Sequence, residues 1–287
     1  KNNKILEGHS YQQVKGKLEN INQNSVIKNG TPYVKKKFSG TILNLLQGSS
    51  GENYFHFICD ILPKLILVSS KINLQSIDYF LVNKKIEWQL KIFKLFGIES
   101  KKIISAKLYR HIQANKVISV SHPWYLKGYI QDEVKNIPAW IIYELRNFLL
   151  DKKLPEQTLK VFLDRSDSKF RHCKIINNEE LINFLQKKGF LIIKPERLSF
   201  KDQIKLFNKC KTIVAGHGAA LTNIIFCQKN TKIIEIIPSS HPSRKCERIS
   251  KVLNLKYLRF TTEDTKDDKD FPYNMNIKLK EVEKILI

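Results

Sequence analysis

The stretch with the most suggestive catalytic chemistry is an apolar run that contains one histidine and one acid. It reads NYFHFICDILPKL over residues 53–65, and His56 and Asp60 stand four positions apart. That spacing places both side chains on one face of a helix. A carboxylate among apolar neighbours is costly to bury unless it is paired or functional, so Asp60 beside His56 is a candidate general base. The alternative is a buried hydrogen bond that only holds the helix together.

A second candidate is a turn that contains two glycines. Gly216, His217 and Gly218 follow the apolar stretch TIVA and precede a helix that begins at Ala219. Glycine permits a tight turn and a close approach of ligand to backbone, and the first N–H groups of a helix favour an anion. The spacing matches neither a Walker loop nor the dinucleotide fingerprint. The pattern therefore predicts either a phosphate site to which His217 donates or an ordinary strand-to-helix turn with a capping histidine.

Arginine is scarce in this chain, which makes the position of each one informative. Arg165 and Arg171, two of the eight, directly follow a predicted strand. The carboxyl end of a strand in a parallel sheet faces the ligand cleft, and a guanidinium can bind a diphosphate with two hydrogen bonds. A solvated loop with weak ion pairs is the alternative. We favour function because this loop and the two-glycine turn are expected at the same edge of one sheet.

A lone acid in an apolar strand is the fourth candidate. Glu235 stands inside KIIEIIP, residues 232–238. A buried carboxylate needs a partner. A ribose hydroxyl and a buried lysine are the two partners considered.

The elements that must position these residues alternate between strands and helices. This alternation predicts an α/β fold with parallel sheets covered by helices. A break in the helical pattern at residues 152–155 predicts two domains, 1–153 and 154–287. Packing of the last helix on the first domain is an open alternative. Strands are predicted at 41–46, 78–83, 116–119, 160–163, 190–194, 212–215, 232–237 and 255–260. Helices are predicted at 53–70, 87–96, 138–151, 178–188, 199–208, 219–226, 244–253 and 280–287.

The amino-acid composition limits the classes of function that the chain can have. The 287 residues carry 50 basic and 27 acidic side chains, a formal charge of +23, which indicates an anionic partner or a lysine-rich compositional bias. The longest apolar stretch, residues 55–68, is too short and too interrupted to span a bilayer. Five widely spaced cysteines predict reduced thiols in the cytosol and no zinc site. Asp268, Lys269 and Asp270 match the spacing of a D-x-D metal motif but are interpreted as part of an exposed loop.

Taken together and in this order, four stretches resemble glycosyltransferase family 61. They are NYFHFICDILPKL (53–65), FLDRSDSKFRHCKIINNEEL (162–181), LSFKDQIKLFNKCKTIVAGHGAALTNIIF (198–226) and KIIEIIP (232–238). The family includes plant xylan pentosyltransferases, animal O-GlcNAc transferases and bacterial polysaccharide enzymes. Two positions depart from the common bacterial pattern: Phe55 replaces a smaller residue, and His172 stands where a second arginine often follows Arg171.

The resemblance implies a GT-B architecture, with two Rossmann-like domains that face a central cleft. It places the nucleotide on the C-terminal domain and the acceptor largely on the N-terminal one. It also implies an inverting reaction that needs no metal and no further cofactor. In this reading Asp60, supported by His56, takes the proton of the acceptor hydroxyl. The implied substrate and nucleotide contacts are Asn53, Arg165, Arg171, His217, Gly218, Ala219, Asn223 and Glu235.

The function that follows is transfer of GlcNAc or a pentose such as xylose from a nucleotide-diphosphate donor, with UDP the expected nucleotide. The acceptor is expected to be a hydroxyl of a glycan or glycolipid. The enzyme is expected in the cytoplasm, with peripheral contact to the inner face of an anionic membrane left open and with no specific nucleic-acid partner. The competing reading, supported by the charge of +23, is a non-catalytic basic binder of nucleic acid or anionic polysaccharide.

Overall fold

The structure is a computed structural model with two compact units, Lys1–Leu145 and Arg146–Ile287. It describes residues 6, 9, 13–14, 17–19, 21–48, 50–124, 135–167, 172–263 and 273–286. Arg171 and residues 268–270 therefore lie outside the described residues. Within the described part, every helix is too short or too polar to cross a membrane. Each unit is built on its own parallel sheet, which confirms the predicted mixed α/β class.

The first unit contains a four-stranded parallel sheet in the order β3-β2-β1-β4. Its strands are β1 (Lys36–Asn44), β2 (Tyr79–Val82), β3 (Ile103–Ser105) and β4 (Ile112–Ser119). Its helical segments are Ile21–Gln23, Ser25–Asn29, Tyr54–His56, Phe57–Ile61, Leu62–Ser69, Leu74–Ser76, Glu87–Leu95 and Ser100–Lys102. A small antiparallel pair, Gln13–Val14 with Lys17–Leu18, precedes them. The helix Ala139–Leu149 contains the division between the two units.

The second unit contains a five-stranded parallel sheet in the order β9-β8-β7-β5-β6. Its strands are β5 (Leu159–Leu163), β6 (Leu191–Ile193), β7 (Cys210–Gly216), β8 (Lys232–Pro238) and β9 (Lys256–Thr262). Its helical segments are Asn178–Lys187, Pro195–Arg197, Phe200–Lys209, Ala219–Phe226, Lys245–Leu253 and Leu279–Leu286.

The core of the second unit explains where the terminal helix packs. Leu181 and Leu185 of one helix pack with Phe162 and Val214 of the sheet, and Val282 of the terminal helix joins this cluster. All five side chains are almost completely buried. From the sequence, packing of this helix on the first domain remained an open alternative. The structure places its apolar face in the core of the second unit.

Strand β3 and the segment Ala219–Phe226 are among the elements that differ from the sequence prediction. Strand β3 was missed because its three residues are too few to show a periodicity. The segment Ala219–Phe226 is a 3-10 helix rather than the predicted α-helix. Its β-branched Thr222, Ile224 and Ile225 have a lowered preference for the α-helix.

Both sheets reverse their winding at one point. In the first sheet the reversal lies between β1 and β4, and in the second it lies between β5 and β7. Open parallel sheets bind ligands at the carboxyl ends of the strands next to such a reversal. The loops that follow these four strands are therefore where functional side chains are expected.

Candidate active site

The loops after β1 and β4 converge on one carboxylate in the first unit. His56 Nδ1 lies 2.9 Å from Asp60 Oδ2, and Trp124 Nε1 donates to Asp60 Oδ1 at 2.9 Å. The Asp60 side chain is fully buried, whereas the His56 side chain is 17% exposed. Sequence spacing found His56 and Asp60. Trp124 was missed because it reaches the site from the loop after β4, 64 residues away in the chain.

A widened helical turn presents this pair. Phe57–Ile61 forms a π-helical turn, in which the Leu62 N–H donates to the Phe57 carbonyl. Pro63 has no N–H for an α-helical ladder, and its ring would crowd the carbonyl four residues before it, so a wider turn is favoured here. Such turns occur often at functional sites. Asn53 caps the helix, because its side-chain oxygen accepts a hydrogen bond from the His56 N–H at 3.4 Å. The substrate contact predicted for Asn53 stays a prediction.

The electrostatics define the protonation of the pair. Burial opposes the charge of Asp60, but the imidazoles of His122 and His56 hold its pKa below the ordinary value. His122 Nε2 lies 3.9 Å from Asp60 Oδ2, a distance of electrostatic contact beyond hydrogen-bond length, and burial lowers the pKa of His122 itself. An ionised carboxylate can only accept hydrogen bonds, so Nδ1 of His56 is the donor in this contact and carries a proton. In the tautomer with this single ring proton, the lone pair of His56 lies on Nε2.

A buried lysine stands one helical turn beyond Asp60. Lys64 Nζ donates to the Leu46 carbonyl at 3.3 Å and to Gln47 Oε1 at 3.1 Å, both in the loop after β1. Burial lowers the pKa of Lys64 to about 8, and the charge of Asp60 opposes this shift. The sequence signal was present, because Lys64 interrupts an apolar run four residues after Asp60. Lys64 orders the loop that carries the helix and places a positive charge near Asp60.

In the second unit, the structure brings Arg165 to the two-glycine turn. Arg165 follows β5, and its guanidinium donates to the His217 carbonyl at the end of β7. A side chain at Gly218 would overlap the guanidinium. The Gly218 backbone is extended, with φ at 172°, so a side chain here would compete with the guanidinium for space without straining the backbone. The two features predicted for one sheet edge thus contact each other at the reversal between β5 and β7.

Glu235 is the buried partner of the turn histidine. Its Oε1 lies 2.5 Å from His217 Nδ1, and Tyr257 Oη donates to its Oε2 at 2.6 Å. Although burial opposes its charge, hydrogen bonds from His217 and Tyr257 lower the pKa of Glu235 to about 2. Burial lowers the pKa of His217 to about 3, so the imidazole is neutral. Glu235 therefore fixes His217, and its predicted contact with a ribose stays a prediction.

A cavity of about 1040 Å³ adjoins this edge of the second sheet. Its wall includes Arg165, His172 and Gly216, together with the start of the helix Asn178–Lys187. That size suits a small-molecule ligand. Asp164 shapes the loop below it by accepting from the Ser166 hydroxyl at 2.9 Å. The cavity therefore lies where a parallel sheet of this order binds its ligand.

The structure gives different surroundings to the remaining residues that were predicted as ligand contacts. Ala219 begins the 3-10 helix after the turn, where N–H groups are available to an anion. Asn223 is fully buried and donates to Gln203 Oε1 at 2.6 Å, so it ties that helix to the helix Phe200–Lys209. A ligand contact for Asn223 stays a prediction. Arg171 lies outside the described residues. In the described part, no three His, Cys, Asp or Glu side chains are grouped as a metal site.

Each of the two polar sites lies at the reversal of a parallel sheet. Both fit the class of α/β enzymes that act on anionic substrates. The family model for glycosyltransferase 61 matches residues 54–234, a span that includes His56, Asp60, Arg165 and His217. The chain therefore belongs to glycosyltransferase family 61, and it is a glycosyltransferase. A search of curated proteins finds no match.

Proposed function

We propose that this enzyme transfers GlcNAc or a pentose such as xylose from a UDP-linked donor to a hydroxyl of a glycan or glycolipid acceptor. The observation that supports it most is the contact of Arg165 with the turn at His217 and Gly218 beside a cavity of ligand size. A guanidinium, the N–H groups of a helix start and an adjacent cavity together suit a diphosphate with an attached group.

We propose further that the two units act as the halves of a GT-B enzyme. The second unit would bind the donor, because it carries the arginine–glycine turn. The first unit would bind the acceptor, because it carries the His56–Asp60 pair. Support for this division comes from the sheets, since each unit has its polar residues at its own reversal point.

His56 is the proposed base. Family resemblance points to Asp60, but Asp60 is fully buried and both of its oxygens accept hydrogen bonds, from His56 and Trp124. His56 Nε2 takes the proton of the acceptor hydroxyl as the oxygen attacks the anomeric carbon. The bond from that carbon to the diphosphate oxygen breaks, and the electron pair leaves with the diphosphate. Asp60 orients the ring and stabilises the imidazolium that forms.

The same geometry supports an inverting, metal-independent reaction. A single displacement by the acceptor oxygen inverts the anomeric centre. The leaving diphosphate gains negative charge, which Arg165 and the N–H groups at the start of Ala219–Phe226 would stabilise. A divalent metal has this role in many other glycosyltransferases. Arg171 is proposed as a second diphosphate contact on the strength of the family pattern.

The test is a turnover assay with a panel of nucleotide sugars in the presence of EDTA. We expect one UDP-sugar to release UDP, with NMR showing an inverted anomeric centre in the product. A strict need for added Mn²⁺, or retained configuration, would contradict the mechanism. If no nucleotide sugar is turned over and nucleic acid binds equally well to wild type and Arg165→Met, the basic-binder reading replaces this one.

A further inference from the structure

The loop after β4 places an indole against the buried carboxylate of the first unit. This loop follows Ser119, the last residue of the strand, and includes Trp124. Trp124 is only 6% exposed, and its Nε1 donates to Asp60 Oδ1 at 2.9 Å. An indole has a single N–H to donate, and here it is donated to the carboxylate that holds His56. The reaction proposed above gives this contact no role.

Contacts within the loop and with the sheet fix the direction of the indole. The Trp124 backbone N–H donates to His122 Nδ1 at 3.2 Å, and the two rings pack edge to face with their centroids 5.3 Å apart. Pro123 between them restricts the backbone. At the start of the loop, the Asn44 side-chain amide of β1 donates to Ser119 Oγ at 3.4 Å. The loop therefore presents the indole N–H from a tethered position.

The titratable groups that act on Asp60 in the described part of the chain come from three elements. They are His56 of the same turn, His122 of the loop and Lys64 of the next helix. Burial lowers the pKa of His122, so its imidazole is neutral. Because His122 Nδ1 accepts a backbone N–H, its ring proton lies on Nε2, the nitrogen 3.9 Å from Asp60 Oδ2. Donors and positive charge around a buried carboxylate favour its charged form.

The two oxygens of Asp60 have different partners. Oδ1 accepts from the indole, and Oδ2 lies 2.9 Å from His56 Nδ1. A carboxylate is planar, so a donor that holds Oδ1 also sets the direction in which Oδ2 points. Loss of the indole N–H would free the carboxylate to rotate and would remove a donor that favours its charge. The pair of Asp60 and His56 would then take up a proton at a higher pH.

We propose that Trp124 is a positioning residue for the base, because it holds Oδ1 and thereby keeps Asp60 charged with Oδ2 directed at His56. This inference rests on the proposed function, in which His56 Nε2 takes the proton of the acceptor hydroxyl. The imidazolium that forms donates from Nδ1 to Asp60 Oδ2. Trp124 exchanges no proton and acts only through the carboxylate.

The experiment compares Trp124→Phe with Trp88→Phe. The ring of Trp88 packs edge to face on Phe57 of the same π-helical turn, with centroids 5.0 Å apart, so its variant also removes an indole beside that turn. The donor to Asp60 stays in place in this control. Any effect of altered packing on the turn is therefore common to the two variants, whereas loss of the N–H to the carboxylate is not.

The first readout is nitrogen NMR of labelled histidine rings in the ligand-free protein across a pH series. The His56 signal is identified by its loss in His56→Gln. We expect the midpoint of His56 protonation to lie about one pH unit higher in Trp124→Phe than in wild type, because a hydrogen bond to a charged group is lost. In Trp88→Phe the midpoint should stay at the wild-type pH.

The second readout is turnover of the UDP-sugar that wild type uses. We expect kcat at neutral pH to be about tenfold lower in Trp124→Phe, and its fall toward acid pH to begin at a higher pH. Calorimetry should show unchanged affinity for UDP, because UDP is proposed to bind the second unit. A purely structural contact would lower stability without this separation of kcat from UDP affinity. Trp88→Phe should match wild type in both measurements.

The outcomes separate this inference from the proposed function. If wild type turns over no nucleotide sugar, with EDTA or with Mn²⁺, the proposed function is wrong, and NMR still decides whether Trp124 controls the pair. If wild type is active and Trp124→Phe keeps both its NMR midpoint and its kcat, the role of Trp124 is wrong while the function stands. Equal changes in Trp88→Phe would also overturn it, because packing would then be the cause.

Ligand-free thermal unfolding checks that each variant folds. If Trp124→Phe does not fold, benzothienylalanine is incorporated at position 124 instead. This amino acid keeps both rings of the indole and has sulfur in place of the N–H, so it removes the donor without leaving a cavity. The same two readouts and the same outcomes then apply to it.

Discussion

At the scale of single residues, the proposed base is the atom of a hydrogen-bonded pair that solvent can reach. Asp60 has both oxygens engaged inside the protein, while the ring of His56 is partly exposed. The same pattern recurs in the second unit, where Glu235 is buried and holds His217. In each case a buried acid fixes an imidazole, and the imidazole is the more exposed side chain of the two.

Replacement of Asp60 by Asn tests that assignment. An amide can donate to His56 Nδ1 and so favours the tautomer with its proton on Nε2, which removes the base. We expect the transfer rate to fall about 10³-fold, while UDP binding in the second unit stays unchanged. Turnover assays and calorimetry measure the two quantities. Glu87→Gln, an exposed acid of the same unit, is the control, and transfer at the wild-type rate in Asp60→Asn would contradict the pair.

A methyl group at Gly218 tests the arginine contact. The added carbon of Gly218→Ala would overlap the Arg165 guanidinium and displace it from the His217 carbonyl. We expect the affinity for UDP to fall about tenfold, because one charge-assisted contact is lost. The backbone is extended there, so the free energy of unfolding should change little. Gly48→Ala is the control, since nothing lies within 4 Å of its added carbon. Undiminished UDP affinity in Gly218→Ala would show that Arg165 is not a phosphate ligand.

At the scale of elements, alternating patterns predicted most of the strands and helices, and motif spacing predicted which of them carry polar groups. The contact of Arg165 with the two-glycine turn follows from strand order, because both loops leave the same edge of a parallel sheet. Trp124 and Tyr257 could not be predicted in this way. Trp124 reaches its carboxylate from the loop after β4 and Tyr257 reaches its own from β9, and no local spacing records either contact.

Asn223 shows that a motif residue can act in packing. Its buried side chain donates to Gln203 Oε1 and joins the 3-10 helix to the helix Phe200–Lys209. Asn223→Ala would leave the Gln203 amide oxygen without this donor in a buried place, so we expect the free energy of unfolding to fall by about 1–3 kcal/mol. Urea denaturation measures it, with the exposed Gln186→Ala as control. A variant of wild-type stability that fails to bind UDP would instead make Asn223 a ligand contact.

At the scale of the whole molecule, pH should act on stability through buried imidazoles. The pKa of His217 is about 3 and that of His241 about 4 in the folded chain, both lowered by burial from 6.5. Between those values and 6.5 the unfolded chain binds protons that the folded chain does not, so stability falls as pH falls. The loss is at most about 1.4 kcal/mol per pH unit for each histidine, and less where solvent screens it.

His241→Gln isolates one part of this dependence. We expect the slope of unfolding free energy against pH between 6 and 4 to be shallower in the variant than in wild type. Above pH 7 the two slopes should coincide, because the unfolded histidine is then largely neutral. Urea unfolding at a series of pH values, followed by fluorescence, provides the comparison. Equal slopes below pH 6 would mean that His241 is protonated in the folded protein.

The central claim is that the second unit binds a nucleotide diphosphate without a metal, and thermal unfolding with added ligand tests it most directly. Wild type would be heated with UDP, GDP or CMP and with their sugar conjugates, first in EDTA and then with Mn²⁺. We predict that UDP and a UDP-sugar stabilise the folded protein in EDTA. The free energy of unfolding should rise by about 2.7 kcal/mol at a hundredfold excess of ligand over Kd. The absence of any shift with any of these nucleotides, with or without Mn²⁺, would contradict it.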